Sequence, residues 1–424
     1  MFPKLIRWLE QIPDARDENL ILYDLEDILF FTVLLFLFRS PSLSSFVKEF
    51  RNNKKASRNL ESIFKMYWIA SDDTFRYALK SISTGDMNEL LRKLSYRLER
   101  QKKLKPLLFQ SEYYLTALDG TGQITSYKRH CEDCLTRTKN NKTLYMHYVL
   151  NAALTDINAQ TSLSLAYEPI TNADKNGKSF DKNDCEINAA KRLLGNMKKM
   201  YPKRKFCFLG DNLYAVKPIL KLILKQGWHF IMTAKPDRNK GLFRNFEVLG
   251  ETRNTLSVTG EKGHRHEYIW ANAIPLTQEY HEKDFFHVNF VEYFEYDEKG
   301  KRIYHSSWIT DLSITKSNVQ EIAKGGRARF SIENRSFNEQ KRNGYRLNHN
   351  FGHRGNLPSV FYGLIQVAHI ISELFSKWKP GKLLIKQVGS RRRFFERLGT
   401  LLSGTILPEH PIPIIYIKLQ WDTS

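Results

Sequence analysis

The sequence predicts an α/β protein: a mixed sheet flanked by helices, interrupted by a β-rich block and preceded by an α-helical domain. Three observations carry this. Residues 1–110 show helical periodicity, the stretch from 112 alternates strand-like and helix-like runs, and 235–310 gives up long helical patterns for alternating aromatic segments. At 424 residues the chain is long enough for two or three domains. The expected divisions are 1–110, helical; 111–234, first part of a sheet core; 235–310, β-rich insertion; 311–380, second part of the core; and 381–424, a basic tail.

In the helical region, Ile28–Phe38 (ILFFTVLLFLF) is nearly all apolar but spans 11 residues, against about 20 needed to cross a bilayer. Asp24, Glu26 and Asp27 precede it, which suits a helix N-terminus and not the basic start of a leader peptide. A core helix is expected, in an intracellular protein with no membrane partner. SDDTFRYALKSI opens with Ser71 and Asp72, either of which can cap a helix. LRKLSYRLERQKKLK (91–105) gathers basic residues around Tyr96, as a phosphate-contacting helix or a solvated face would.

From 112, YYLTALD, LYMHYVLNAAL and TSLSLAYEPI read as three successive strands separated by polar turns. NDCEINAAKRLLGNMKKM (183–200) starts with capping residues and places Ile187, Ala190, Leu194 and Met197 at helical spacing. KFCFLGD is a buried strand, LYAVKPILKLILKQG a helix closed by Gly227, and WHFIMTAK a further strand. The order β-β-β-α-β-α-β is that of the ribonuclease H-like fold. HEYIWANAI, FFHVNFVEYFEYD and RIYHSSWIT make up the insertion, and helices return at 316–343 and 360–378. In the tail, Arg391–Arg393 with Phe394 and Phe395 either bind DNA or dock the tail through the aromatics.

A net charge of +21 calls for a polyanionic partner, nucleic acid or an anionic membrane. The four cysteines form no regular framework and fit a reducing compartment. Cys131-x2-Cys134, with His130, His147 and Cys185 within reach, reads either as a structural zinc site or as reduced, unliganded thiols.

Two aspartates stand out. Asp119, in LDGTG, is expected at the end of the first strand, and Asp211 directly follows the fourth. In the inferred fold order these strands are central neighbours, so the carboxylates meet and can share a divalent metal of hard-oxygen preference. Glu333, in RARFSIENRSFNEQKR, is the third acid, brought in by a helix. Arg329 and Phe337 lie about 40° to either side of it in a regular helix. Taken singly, an Asp before Gly is commonly a turn residue and a helical Glu commonly faces solvent; their conjunction with the charge lifts the reading.

On these residues the chain resembles bacterial insertion-sequence transposases of the DDE class, in the branch with a β-strand insertion between the second Asp and the Glu. Asp119, Asp211 and Glu333 match the triad, LDGTG and GDNLY resemble the two Asp motifs, and the likeness covers about 112–378. The branch's Tyr-x2-Arg-x3-Glu-x6-Lys signature is kept in part. Arg329 and Glu333 fit, Gly326 stands where Tyr is expected, and Lys341 comes one residue late. In a regular helix that delay turns Lys341 about 80° from Glu333.

The resemblance implies cut-and-paste transposition by hydrolysis and strand transfer, with two Mg²⁺ (or Mn²⁺) ions on Asp119, Asp211 and Glu333. Arg329, Lys341, Thr121, Arg335 and Trp270 are the implied DNA-contacting residues. Gly120 and Gly122 leave room for the scissile phosphate, and an aromatic such as Trp270, Trp308 or Tyr293 either holds a flipped base or belongs to the core. The implied partners are terminal inverted repeats and target DNA, bound by a homodimer in the bacterial cytoplasm, at the nucleoid. A metal-dependent nuclease or resolvase without strand transfer, and a non-cleaving DNA-binding derivative, are the alternatives.

Overall fold

The computed structural model describes residues 2–172, 183–260, 263–277 and 285–407, so 408–424 of the expected tail lie outside the described residues. It is a mixed α/β structure. The chain opens with α1 (Phe2–Leu9), α2 (Leu25–Leu37), α3 (Leu43–Arg51), α4 (Lys54–Phe64), α5 (Asp72–Leu79) and α6 (Thr84–Arg100). The first sheet segment follows: β1 (Leu108–Phe109), β2 (Tyr113–Ser126), β3 (Leu135–Lys139), β4 (Lys142–Thr155) and β5 (Ser162–Ile170). Next come α7 (Glu186–Met200), β6 (Phe206–Gly210), α8 (Lys217–Lys225) and β7 (His229–Thr233). A short α9 (Lys240–Val248) precedes β8 (Asn254–Thr259), β9 (Arg265–Pro275), β10 (His287–Tyr296) and β11 (Arg302–Thr310). The chain closes with α10 (Val319–Arg327), a π-helical turn (Ile332–Phe337), α11 (Asn338–Arg342), α12 (Leu357–Lys377), α13 (Lys379–Val388) and α14 (Arg391–Gly404).

Helix starts are written locally. Ser71 Oγ accepts from the Thr74 amide at 3.3 Å to open α5. Ser83 and Asp86 exchange side-chain-to-backbone bonds of 3.1 and 2.9 Å to open α6. The apolar run of α2 is buried from Ile28 through Leu37 and packs against α12. By length and composition α12 could cross a bilayer, but its apolar window is wholly buried inside this chain.

Among the described residues the strands form one sheet in the order β3-β4-β2-β6-β7-β11-β10-β9-β8, with β5 also on β4. β2, β4 and β5 are antiparallel neighbours, whereas β6 and β7 run parallel to β2. β6 (FCFLG) is buried along its whole length, as a central parallel strand covered on both faces must be. β11 pairs antiparallel with β7, so the aromatic block extends the same sheet rather than making a second one. That block begins with α9, a helix the sequence reading lacked, which buries Leu242, Phe243 and Phe246 at helical spacing. β3 was also absent from the expectation; it turns into β4 through Asn140 and Asn141, whose φ values of 50° and 55° suit a tight hairpin.

Side chains alternate across the sheet. Leu115, Ala117, Cys207 and Leu209 pack into one core with α10 and the π-helical turn, while Leu118, Phe206 and Phe208 pack into a larger one with α2, α7 and α12.

Candidate active site

The last registered pair between β2 and β6 is Ala117 opposite Leu209. Asp119 and Asp211 each stand two residues further on, so both emerge at the same end of a parallel pair. β6 stops at Gly210, but β2 does not end at Asp119 as expected: it continues to Ser126, paired with β4. The carboxylate therefore sits where one neighbouring strand has left and the other remains. Asp211 closes a local turn, its Oδ1 accepting from the Leu213 amide at 2.8 Å.

Burial pushes the Asp119 carboxyl up from its ordinary 3.8 to about 7, and the charges of Asp211 and Glu186 push the same way. Arg329, with Nη1 3.5 Å from Asp119 Oδ2, and the Gly120 amide at 2.9 Å pull against them.

Glu186 is the residue that sequence reasoning missed. It opens α7, and Tyr214 donates its hydroxyl proton to Glu186 Oε2 at 2.8 Å. A Cβ on Gly120 would come within 2.6 Å of the Glu186 carboxyl carbon. The bare backbone after Asp119 thus admits a carboxylate. Gly122 likewise lies under the Tyr148 ring, 3.3 Å from where its Cβ would be, so both spaces expected for a phosphate are filled by this chain. Burial and the Asp211 charge raise the Glu186 carboxyl, against the Tyr214 bond. Arg192 anchors the start of α7 through Glu168 at 2.6 Å and Asp184 at 2.7 Å. The available signal was the Asp-Cys-Glu run at a helix start, which reads as capping.

The helix carrying Glu333 is irregular. Ile332–Phe337 form a π-helical turn, which absorbs one extra residue. Eight residues across such a turn keep roughly the phase of seven in a regular helix, about 20° rather than about 80°. Half-buried Lys341 accordingly feels both Asp119 and Glu333: burial lowers its ammonium, and those two carboxylates raise it. The late lysine is thereby returned to the acidic face. Gly326 replaces the expected Tyr because the Trp308 indole occupies the space, 2.6 Å from where a Cβ would stand.

Glu333 is exposed, and among the described residues Asp119, Asp211 and Glu333 do not all come within 4.8 Å of one another. Arg329 and Lys341 lie on the acidic face with them, and Arg329 Nε is buried without a partner. Thr121 is 3% exposed and its hydroxyl is unpaired, which keeps it from direct DNA contact in this conformation. Arg335 bonds Gln160, and its carbonyl lies 2.9 Å from His369 Nε2. Trp270, Trp308 and Tyr293 are all buried in one aromatic cluster. The donors around Asp119 are hard oxygens whose charges raise one another's affinity for a proton, a balance that suits Mg²⁺ or Mn²⁺.

Cys131, Cys134 and His147 converge away from these acids. Cys185 stands apart, exposed at the N-cap of α7.

Compared with known proteins, residues 6–94 match the DDE_Tnp_1-associated family model, about a fifth of the chain. The match falls on α1–α6 and points to a DDE-transposase context. No curated protein matches the sequence.

Proposed function

We propose that the chain is a DNA transposase of the DDE class that moves an insertion sequence by cut and paste. In this reading β5-β4-β2-β6-β7 with α7 and α8 are a ribonuclease H-like core, β8–β11 are the insertion between the second Asp and the Glu, and residues 1–110 hold transposon ends. The observation that carries it is the emergence of Asp119 and Asp211 from one end of a parallel strand pair, with the Asp119 carboxyl pushed up to about 7 by burial and by the neighbouring acids. The transposase-associated match over 6–94 supports it independently.

Asp119, Asp211 and Glu333 are the residues to hold a pair of Mg²⁺ or Mn²⁺ ions, which supply Lewis acidity and an activated water for phosphodiester hydrolysis. Glu186 adds a fourth carboxylate beside Asp119. Arg329 relieves the negative charge of Asp119 and, with Lys341, offers cations to the phosphates flanking the scissile bond. In the first step water adds to phosphorus and the P–O3′ bond breaks, leaving a 3′-hydroxyl on the transposon end. In the second that hydroxyl attacks a target phosphodiester, which releases its own 3′-oxygen, so no covalent protein intermediate is needed. The net charge of +21 favours DNA as partner, and paired ends imply a homodimer assembled on DNA at the bacterial nucleoid.

The test supplies a pre-nicked transposon end with a free 3′-hydroxyl, a second duplex and Mg²⁺. Joined product with the wild type and none with Asp211→Asn is expected. Hydrolysis without joining would replace this reading with that of a nuclease.

A further inference from the structure

The connection from β2 to β3 carries Cys131 and Cys134 in a tight turn: the Cys134 amide donates to the Cys131 carbonyl at 3.2 Å, and the Cys131 amide points at Cys134 Sγ at 3.4 Å. The two sulfurs are 3.6 Å apart, and His147 Nε2, on β4, lies 3.4 Å from each. A sulfur pair at that separation is not a disulfide, whose bond is about 2.05 Å. The triangle matches one face of a metal tetrahedron. With Zn–S of about 2.3 Å and Zn–N of about 2.0 Å, the S–S edge is about 3.8 Å and the S–N edge about 3.5 Å.

The surroundings are built for the same purpose. His147 is 7% exposed and its imidazole is also bonded to the backbone of His353, the kind of outer contact that fixes a ligating ring. The His353 ring interacts with His147 and bonds the backbone of His130, next to Cys131. Cys185, exposed at the N-cap of α7, lies outside this group of ligand atoms, and it is His353 that interacts with His147.

We propose that Cys131, Cys134 and His147 bind one structural Zn²⁺, with His353, whose ring nitrogens are not within 4.8 Å of all three here, turning in as the fourth ligand. Four protein ligands leave no open position, so the ion has no catalytic role. It ties together three stretches far apart in sequence: the β2–β3 turn, β4, and the segment between α11 and α12. His147 pairs with Ile124 on β2, the strand of Asp119, while the 343–356 segment follows α11, which carries Lys341. The ion thus clips the chain leaving the Glu333 helix to the sheet that carries Asp119.

The full chain, purified under reducing conditions without added metal, should contain about one zinc per molecule by elemental analysis. Cobalt(II) in its place should give the visible bands and thiolate charge-transfer absorption of a tetrahedral site. Cys131→Ser with Cys134→Ser should lose the metal, whereas Cys185→Ser should keep it. His353→Ala should bind at least about tenfold more weakly in competition with a chromophoric chelator. A wild-type protein that holds no zinc and gives no tetrahedral cobalt spectrum overturns the site, without reliance on variants that fail to fold. Unchanged affinity in His353→Ala overturns the fourth ligand, and zinc loss in Cys185→Ser overturns the ligand set.

Discussion

Two gatherings of acids in this molecule are built from the same residue types and balanced in opposite ways. Asp119 is 3.5 Å from Arg329 and feels the charges of Asp211 and Glu186, and its carboxyl is driven up to about 7. At the junction of α11, α12 and α14, Glu339 and Glu373 are both bridged by Arg391, and His369 Nε2 lies 3.2 Å from Glu339. There burial also pushes the Glu339 carboxyl up, but His369 and Arg391 overcome it and bring it down to about 2. Glu339, His369 and Glu373 are close enough to hold a metal, their ligand atoms lying within 4.8 Å of one another, yet an arginine already supplies the cation. Proximity alone would send a metal to the saturated cluster; charge balance would favour the starved one, as the proposed function requires.

The largest expected effect separates the two by activity. Asp119→Asn or Asp211→Asn should lower DNA cleavage and joining by about 10³-fold or more, since metal-assisted charge stabilisation is worth several kcal/mol. Glu339→Gln should leave the rate per folded molecule unchanged, measured on gel-resolved oligonucleotides. Stability should show the reverse. Glu339→Gln leaves Arg391 with Glu373 alone and weakens the His369 contact, at an expected cost of about 1–3 kcal/mol in urea unfolding, whereas Asp119→Asn without divalent ions should gain about 1–2 kcal/mol at pH 8.

The pH windows are mirror images. Glu339, depressed from 4.5 to about 2, stabilises the fold above pH 4.5, and that contribution is lost as pH falls toward 2. Asp119, raised from 3.8 to about 7, makes a contribution that is full below 3.8 and lost as pH rises through 7. Unfolding midpoints against pH in chelator should carry both slopes, with Asp119→Asn removing the neutral one and Glu339→Gln the acidic one.

The smallest change tests Glu186. In Gly120→Ala the added methyl meets only the far end of that side chain, so the carboxylate swings aside and stability shifts by less than about 1 kcal/mol. Cleavage should fall by about tenfold; an unaltered rate would remove Glu186 from the site.

Asp119 and Asp211 could be placed side by side because unbroken apolar runs and their order along the chain make β2 and β6 neighbours, whereas the continuation of β2 past Asp119 depends on its pairing with β4 and was not legible. Glu186 was not, since its meeting with Gly120 depends on how α7 lies across the sheet. The π-helical turn leaves no residue-type mark, and its trace was a lysine that seemed misplaced by one. The Arg-rich stretch at 391–393 admitted both docking and DNA contact; Arg391 is consumed by Glu339 and Glu373, and Phe394 stacks on Phe375 at 4.7 Å. Tyr96, amid basic residues, packs against Tyr201 at 5.6 Å, a partner that only the tertiary fold supplies.

The burial of α12 bears on how force and position pass through the molecule. It packs against α2, α5 and α6 as well as β5, so the first hundred residues and the sheet share an unbroken apolar interior. Severing the chain near 110 would therefore strip a greasy rod bare instead of freeing two working modules.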